Sequence, residues 1–174
     1  QAVLASAALN HPGLLRLHDL RDDEGFCFTV MDYPEGGSLR DRLRSGPLAL
    51  EEALSLGARI AEALDYAHSR GVVHGGLSPE SIGLDAAGNP LVTDFGLAWL
   101  AAQAGRQDLR PEYTAPEQAQ GLGVGPQTDL YVLGLVLFEA LTGRPPFRGD
   151  TRLSTLYQQV NEASPALASL GVRS

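Results

Sequence analysis

Val72–Gly96 reads VVHGGLSPESIGLDAAGNPLVTDFG, and this stretch decides how the rest of the chain is read. It holds two apolar, strand-like runs on either side of a turn at Gly88-Asn89. A tight polar segment, HGGLSPES, separates the first run from the helix before it. Polar residues compressed between a helix and a hairpin are a common setting for a functional loop on a rigid scaffold.

On the N-terminal side, Leu50–His68 has the 3,4 spacing of a long helix, with Leu50, Ala53, Leu54, Gly57, Ile60, Ala61, Leu64 and Ala67 on one expected buried face. Before it, Ser38 is placed to N-cap a short helix, Leu39–Leu43. Leu14–Leu20 and Phe26–Met31 read as strands joined by a turn at Arg21–Gly25. Ala2–Leu9 is helix-prone and is stopped by His11-Pro12-Gly13. On the C-terminal side, residues 97–126 show little regular pattern. Asp129–Leu141 is apolar almost all round and so is expected as a buried helix, with Asp129 capping its N-terminus. Leu153–Val160 reads as a last helical segment.

The chain has 174 residues, 44% of them hydrophobic, enough for one globular domain with a core. It begins at Gln1, so an upstream portion is expected. A net charge of −8 argues against nucleic acid as a non-specific partner. All 13 basic residues are arginine, so no lysine is available to contact a phosphate. A single cysteine, Cys27, allows no internal disulfide and suits a reducing compartment; within an apolar strand it reads as a small hydrophobe. There is no run of 18 apolar residues, so no membrane contact is expected from this segment. His11, His18, His68 and His74 lack metal-ligand spacing. Ser78 and Ser81 near His74 lack the G-x-S-x-G turn and orienting carboxylate of a hydrolase.

The opening stretch resembles the catalytic core of a protein kinase, V-x-H-R-D-L-K-P-E-N-I-L-L-D followed by x-x-D-F-G. His74, Leu77, Pro79, Glu80, Ile82, Asp94, Phe95 and Gly96 fit that pattern. Four further segments are similar in order and spacing: Asn10–Leu14; Met31–Leu39 at the hinge; Tyr113–Glu117 at the A-P-E site; and Thr128–Gly134 with Leu141–Phe147 around the central helix. The resemblance is to the bacterial serine/threonine type. It implies an α+β, protein kinase-like fold. Residues 1–31 would end the small lobe, 32–37 form the hinge and 38–174 belong to the mainly helical large lobe. The glycine-rich loop and ATP-lysine strand are expected upstream, and the final helices downstream.

What the resemblance implies for chemistry is loss. Phosphoryl transfer needs metal ions, a carboxylate to accept the hydroxyl proton, and donors to hold the phosphates. Gly76 stands at the place of the family's catalytic aspartate, Ser78 at the phosphate-contacting lysine and Ser81 at the metal-binding asparagine. Asp94 keeps the place of a Mg²⁺ ligand, with local structural pairing as its other reading. If Met31 is the gatekeeper, the hinge donor to adenine falls at Pro34, two residues after Asp32, and proline has no N–H. The residue beneath adenine is Gly83. The small-lobe glutamate falls at Ala2, the arginine that clamps a phosphorylated activation loop at Gly75, and the threonine facing the catalytic aspartate at Arg110. No serine or threonine lies between Phe95 and Tyr113. His74, Phe95, Gly96, Glu117 and Asp129 are expected to hold the frame, with Phe95 against His74 and Asp129 reaching back to the catalytic loop. Glu117 is expected to pair with an arginine of the late large lobe, with Arg144 and Arg148 as nearer candidates or solvated surface residues. The resulting expectation is a pseudokinase with weak or absent binding of ATP and Mg²⁺, working through a protein partner. The alternative is a divergent active kinase. The expected location is the cytoplasm, including as the cytoplasmic part of a membrane protein.

Overall fold

The computed structural model describes residues 8–23, 26–95, 97 and 110–167, with the side chains of 20–23 and 26–28 outside that description. The expectations for the helix at Ala2–Leu9, for Ala2 and Gly96, and for the Cys27 side chain therefore fall wholly or largely outside the described residues.

Strands β1 (Leu17–Asp23) and β2 (Phe26–Met31) pair antiparallel, from Leu17 opposite Met31 to Asp23 opposite Phe26, with an irregularity between Leu17 and Asp19. The first strand starts and ends three residues later than its composition suggests. Residues 13–15 instead make an isolated parallel bridge elsewhere: Leu15 N–H donates to Val92 O at 2.9 Å, and Val92 N–H to Gly13 O at 2.8 Å. Main-chain pairing accepts polar side chains, so the ladder continues through Arg21-Asp22-Asp23 where the apolar pattern has stopped.

Helix α1 (Leu39–Leu43) has the expected cap, Ser38, in reciprocal hydrogen bonds with Asp41. Helix α2 (Leu50–His68) has the expected bounds, but its buried face is Ala53, Leu56, Gly57, Ile60, Ala63, Leu64 and Ala67. Leu54 is exposed at 60%, so the face sits rotated towards Leu56 from the expected stripe. Gly57 explains the closeness of the next layer. A Cβ there would meet Leu137 Cδ1 at 2.9 Å.

Strands β3 (Ile82–Leu84) and β4 (Pro90–Val92) form the expected hairpin. Asp85 closes its turn by accepting the N–H groups of Ala87 and Asn89, and Gly88 takes φ 82°. Two short 3₁₀ turns, Pro79–Ser81 and Pro111–Tyr113, flank the region. Helix α3 (Pro116–Ala119) leads to helix α4 (Pro126–Thr142), which packs on α2. Helix α5 (Arg152–Asn161) is capped by Thr151.

The α4 result corrects two expectations. The helix begins at Pro126, which suits a first helical position, so Asp129 lies inside the first turn and does not cap it. Nor is α4 buried all round: Val132, Leu133, Leu135, Val136, Phe138 and Ala140 are covered, while Leu130 is 54% exposed and Gly134 is exposed. The architecture is the expected α+β, mostly helical, with two small sheets. No described helix is long and apolar enough to cross a membrane.

Candidate functional site

The loop at 74–78 is held from α4. Asp129, 1% exposed, accepts the N–H of His74 through Oδ2 and that of Gly75 through Oδ1, both at 2.8 Å. His68, the last residue of α2, places Nε2 at 2.7 Å from the same Oδ2. One carboxylate thereby joins two helices to the loop backbone. Gly75 takes φ 69°, a left-handed conformation that strains other residues, and its carbonyl accepts from Gln118 Nε2 at 2.7 Å. The His74 ring is buried against Phe95 with centroids 4.7 Å apart, as expected. Burial pushes the His74 pKa down, against the opposing charges of Asp129 and Asp94.

At the chemically expected positions the loop bonds to itself. Gly76 is exposed and has no side chain. Ser78 and Ser81 are buried; Ser81 Oγ accepts the N–H of Ser78 at 3.0 Å and donates to its carbonyl at 3.1 Å. The Ser81 hydroxyl is thus engaged within the turn.

Beside this loop lies a polar cluster that the sequence pattern missed. Arg40 of α1 donates Nε to Glu80 at 2.8 Å, one terminal nitrogen to Glu139 of α4 at 2.7 Å, and the other to Tyr113 Oη at 2.5 Å. Tyr113 donates in turn to Glu139, and Arg110 forms an ion pair with Glu80. Burial alone would raise the Glu80 pKa, but Arg40 outweighs it and, with Arg110, holds the carboxyl below the usual range. Burial, reinforced by Glu139, pushes the Tyr113 hydroxyl up. The available signal was Glu139 itself, a carboxylate within an apolar helix, which needs a partner when buried.

The segment at 31–38 lies along β3. Met31 ends β2, and Asp32 is exposed with Oδ1 2.6 Å from His18 Nε2. Gly36 N–H donates to Leu84 O and Leu84 N–H to Gly37 O, each at 2.8 Å, while Ser38 bridges Gly83. Pro34 is packed directly over Gly83. Asp94 has φ 65°, the one positive value at a non-glycine among the described residues. It borders a mostly apolar cavity with Leu17, Met31, Val92 and Phe95.

Glu117 accepts from Thr128 Oγ1 at 2.6 Å, tying α3 to the start of α4. Neither arginine candidate takes that role in the structure: Arg144 and Arg148 are exposed. Arg110 meets Glu80. The histidines serve separate contacts, His11 stacking on Tyr66 at 4.9 Å and His18 meeting Asp32. Among the described residues no group of three or more His, Cys, Asp or Glu could hold a metal ion. At the expected place of the family's second Mg²⁺ ligand the Ser81 hydroxyl is engaged within its own turn, which leaves Asp94 as the expected metal-ligand position at the cleft.

A buried histidine-aspartate frame, a helix-tied loop and a hairpin carrying Thr93-Asp94-Phe95 define the core of a protein kinase domain. The family model described as "Protein kinase domain" matches residues 3–170, and the chain belongs to that family. It is 36% identical over 169 residues to the serine/threonine-protein kinase PknB of Mycobacterium tuberculosis, covering 90% of this chain and 27% of that protein. It is 34% identical over 168 residues to the serine/threonine-protein kinase PrkC of Bacillus subtilis, covering 93% and 26%. A probable serine/threonine-protein kinase PknB of Lactococcus lactis is 33% identical over 172 residues, covering 95% and 27%. The chain thus spans about a quarter of the length of these relatives.

Proposed function

We propose that this is a pseudokinase region: a serine/threonine kinase-like domain that binds ATP and Mg²⁺ weakly or not at all and regulates or scaffolds a protein partner. The observation that carries the reading is the self-bonded loop, in which Gly76 offers no acceptor and the Ser81 hydroxyl is engaged by Ser78. A positioned base contributes about 10²–10⁴-fold to such reactions, and none stands at Gly76. In this reading 32–37 is the hinge, Met31, Asp32, Pro34, Gly83 and Asp94 line a degenerate nucleotide cleft, and His74, Phe95, Gly96, Glu117 and Asp129 keep the frame. The setting is the cytoplasm, where a kinase-like module meets its protein partner.

Arg110 supports the same reading. Gly75 stands at the expected phosphate clamp and no Ser or Thr lies between Phe95 and Tyr113, while Arg110 pairs with Glu80 without a phosphate.

The second reading is a divergent active kinase that transfers the γ-phosphate of ATP to protein. It is favoured by Asp94, whose strained backbone persists beside the cleft, and by the names of the relatives. The two separate in one assay. Full-length protein is incubated with Mg²⁺ and γ-labelled ATP, alone and with a generic protein acceptor. The pseudokinase reading predicts no label above an Asp94→Ala control; labelling that Asp94→Ala abolishes establishes the active kinase.

A further inference from the structure

Pro34 and Gly83 stand out in the sequence as separate losses, one of a hinge donor and one of a cleft floor. In the structure they are a single contact. A Cβ built on Gly83 would lie 2.7 Å from Pro34 Cβ and 3.0 Å from Pro34 Cγ. Both atoms belong to a closed ring anchored to the backbone, so neither can swing away as the end of a flexible side chain would. Any side chain at 83 therefore requires the hinge to move. The hinge is not free to do so, because Gly36 and Gly37 are hydrogen-bonded to Leu84 and Ser38 bridges Gly83. Gly36 is itself pressed close: a Cβ there would meet Asp85 O at 2.5 Å. The segment at 34–38 is laid against β3 along its length.

We propose that Pro34 and Gly83 form a self-made plug, in which the pyrrolidine ring occupies the space where a floor side chain and the edge of a purine would meet, so that the protein excludes the adenine ring with its own hinge. The inference rests on reading 32–37 as the hinge and 83 as the floor of the nucleotide cleft. It adds to the proposed function the reason for poor nucleotide binding: not two missing contacts but one filled space. Two consequences differ from those of independent losses. Restoring a side chain at 83 alone damages the fold and does not repair the cleft. Removing the ring at 34 opens the space and returns an N–H donor in the same step.

The test uses full-length protein carrying Pro34→Gly, Gly83→Ala or both. Gly83→Ala adds only the clashing carbon, and it is expected to lower Tm by about 3 °C or more, since overpacking of this kind is destabilising. In the Pro34→Gly background the same change is expected to move Tm by less than about 1 °C, within the scatter of independent sites. A fluorescent ATP analogue with Mg²⁺ is expected to bind about tenfold more tightly to Pro34→Gly than to the parent, the upper range for one recovered hydrogen bond. Equal Tm losses from Gly83→Ala in both backgrounds, or tight nucleotide binding by the parent, overturn the plug. A parent that binds nucleotide without transferring phosphate defeats the plug and leaves the pseudokinase reading standing. Asp94-dependent phosphate transfer by the parent requires bound ATP and so defeats both that reading and the plug.

Discussion

Two regions a few residues apart are built on opposite terms. In the frame, polar side chains are retained and each makes several bonds: Asp129 holds His68, His74 and Gly75, and Arg40 joins Glu80, Glu139 and Tyr113. In the cleft, Asp94 keeps its expected place, but Gly76, Ser78, Ser81, Pro34 and Gly83 stand where the resemblance expects groups that handle nucleotide and proton, and the serine hydroxyl at 81 is turned inward. Buried polar groups are costly when left unpaired, so a frame that lost one partner would be destabilised whatever its function. A cleft that loses its chemistry costs the fold nothing. On the proposed reading, stability maintains the first region and no catalytic demand maintains the second.

The strongest way to break this comparison is at Asp129. Asp129→Ala leaves the buried His74 N–H, the half-buried Gly75 N–H and His68 without their acceptor, and it is expected to cost about 3 kcal/mol or more by denaturant titration. A loss under about 1 kcal/mol would show that the loop is held by other means.

Next is the Arg40 cluster. Glu139→Ala strands Arg40 and Tyr113 and is expected to cost about 2–3 kcal/mol, whereas Arg40→Met with Glu139→Leu, which removes both charges, recovers most of it. If the double change costs more than Glu139→Ala alone, the cluster is a net source of stability beyond its pairing.

Acid sharpens the comparison at His74. Its native pKa is lowered, so the unfolded chain takes up the proton first. Stability contributed by the neutral ring is complete above about pH 6.5 and falls as pH drops below it towards the native value. His74→Phe is expected to flatten that part of the pH–stability curve; an unchanged curve assigns the slope to other groups.

The smallest expected effects lie in the cleft. Ser81→Ala removes one hydroxyl that both accepts and donates, at about 1 kcal/mol in chemical denaturation. Gly76→Asp alone is expected to restore no phosphate transfer, since Ser78 and Ser81 remain unsuited and such losses act as a unit.

Much of the frame was legible because its signals are local or periodic. Ser38 announces the start of α1, the 3,4 spacing fixes α2 at both ends, and Gly88-Asn89 marks the hairpin. The phase of α2 was less legible, since Leu54 and Leu56 are equally apolar and only packing decides which is covered. The start of α4 was obscured by its polar first turn, Pro126-Gln127-Thr128. The Arg40 cluster was out of reach because its members lie 40, 73 and 99 residues apart and carry no mutual spacing. Pro34 and Gly83 were each visible as anomalies, but their contact is a fact of three-dimensional packing.

The most direct test of a frame without chemistry is a thermal-shift titration of the full-length protein with ATP and Mg²⁺, beside Asp94→Ala. A ligand that binds the native state raises Tm in proportion to RT ln(1 + [L]/Kd). The expected result is a shift under about 1 °C at millimolar ATP, the same in both proteins. A saturable shift of several degrees that Asp94→Ala abolishes would contradict it.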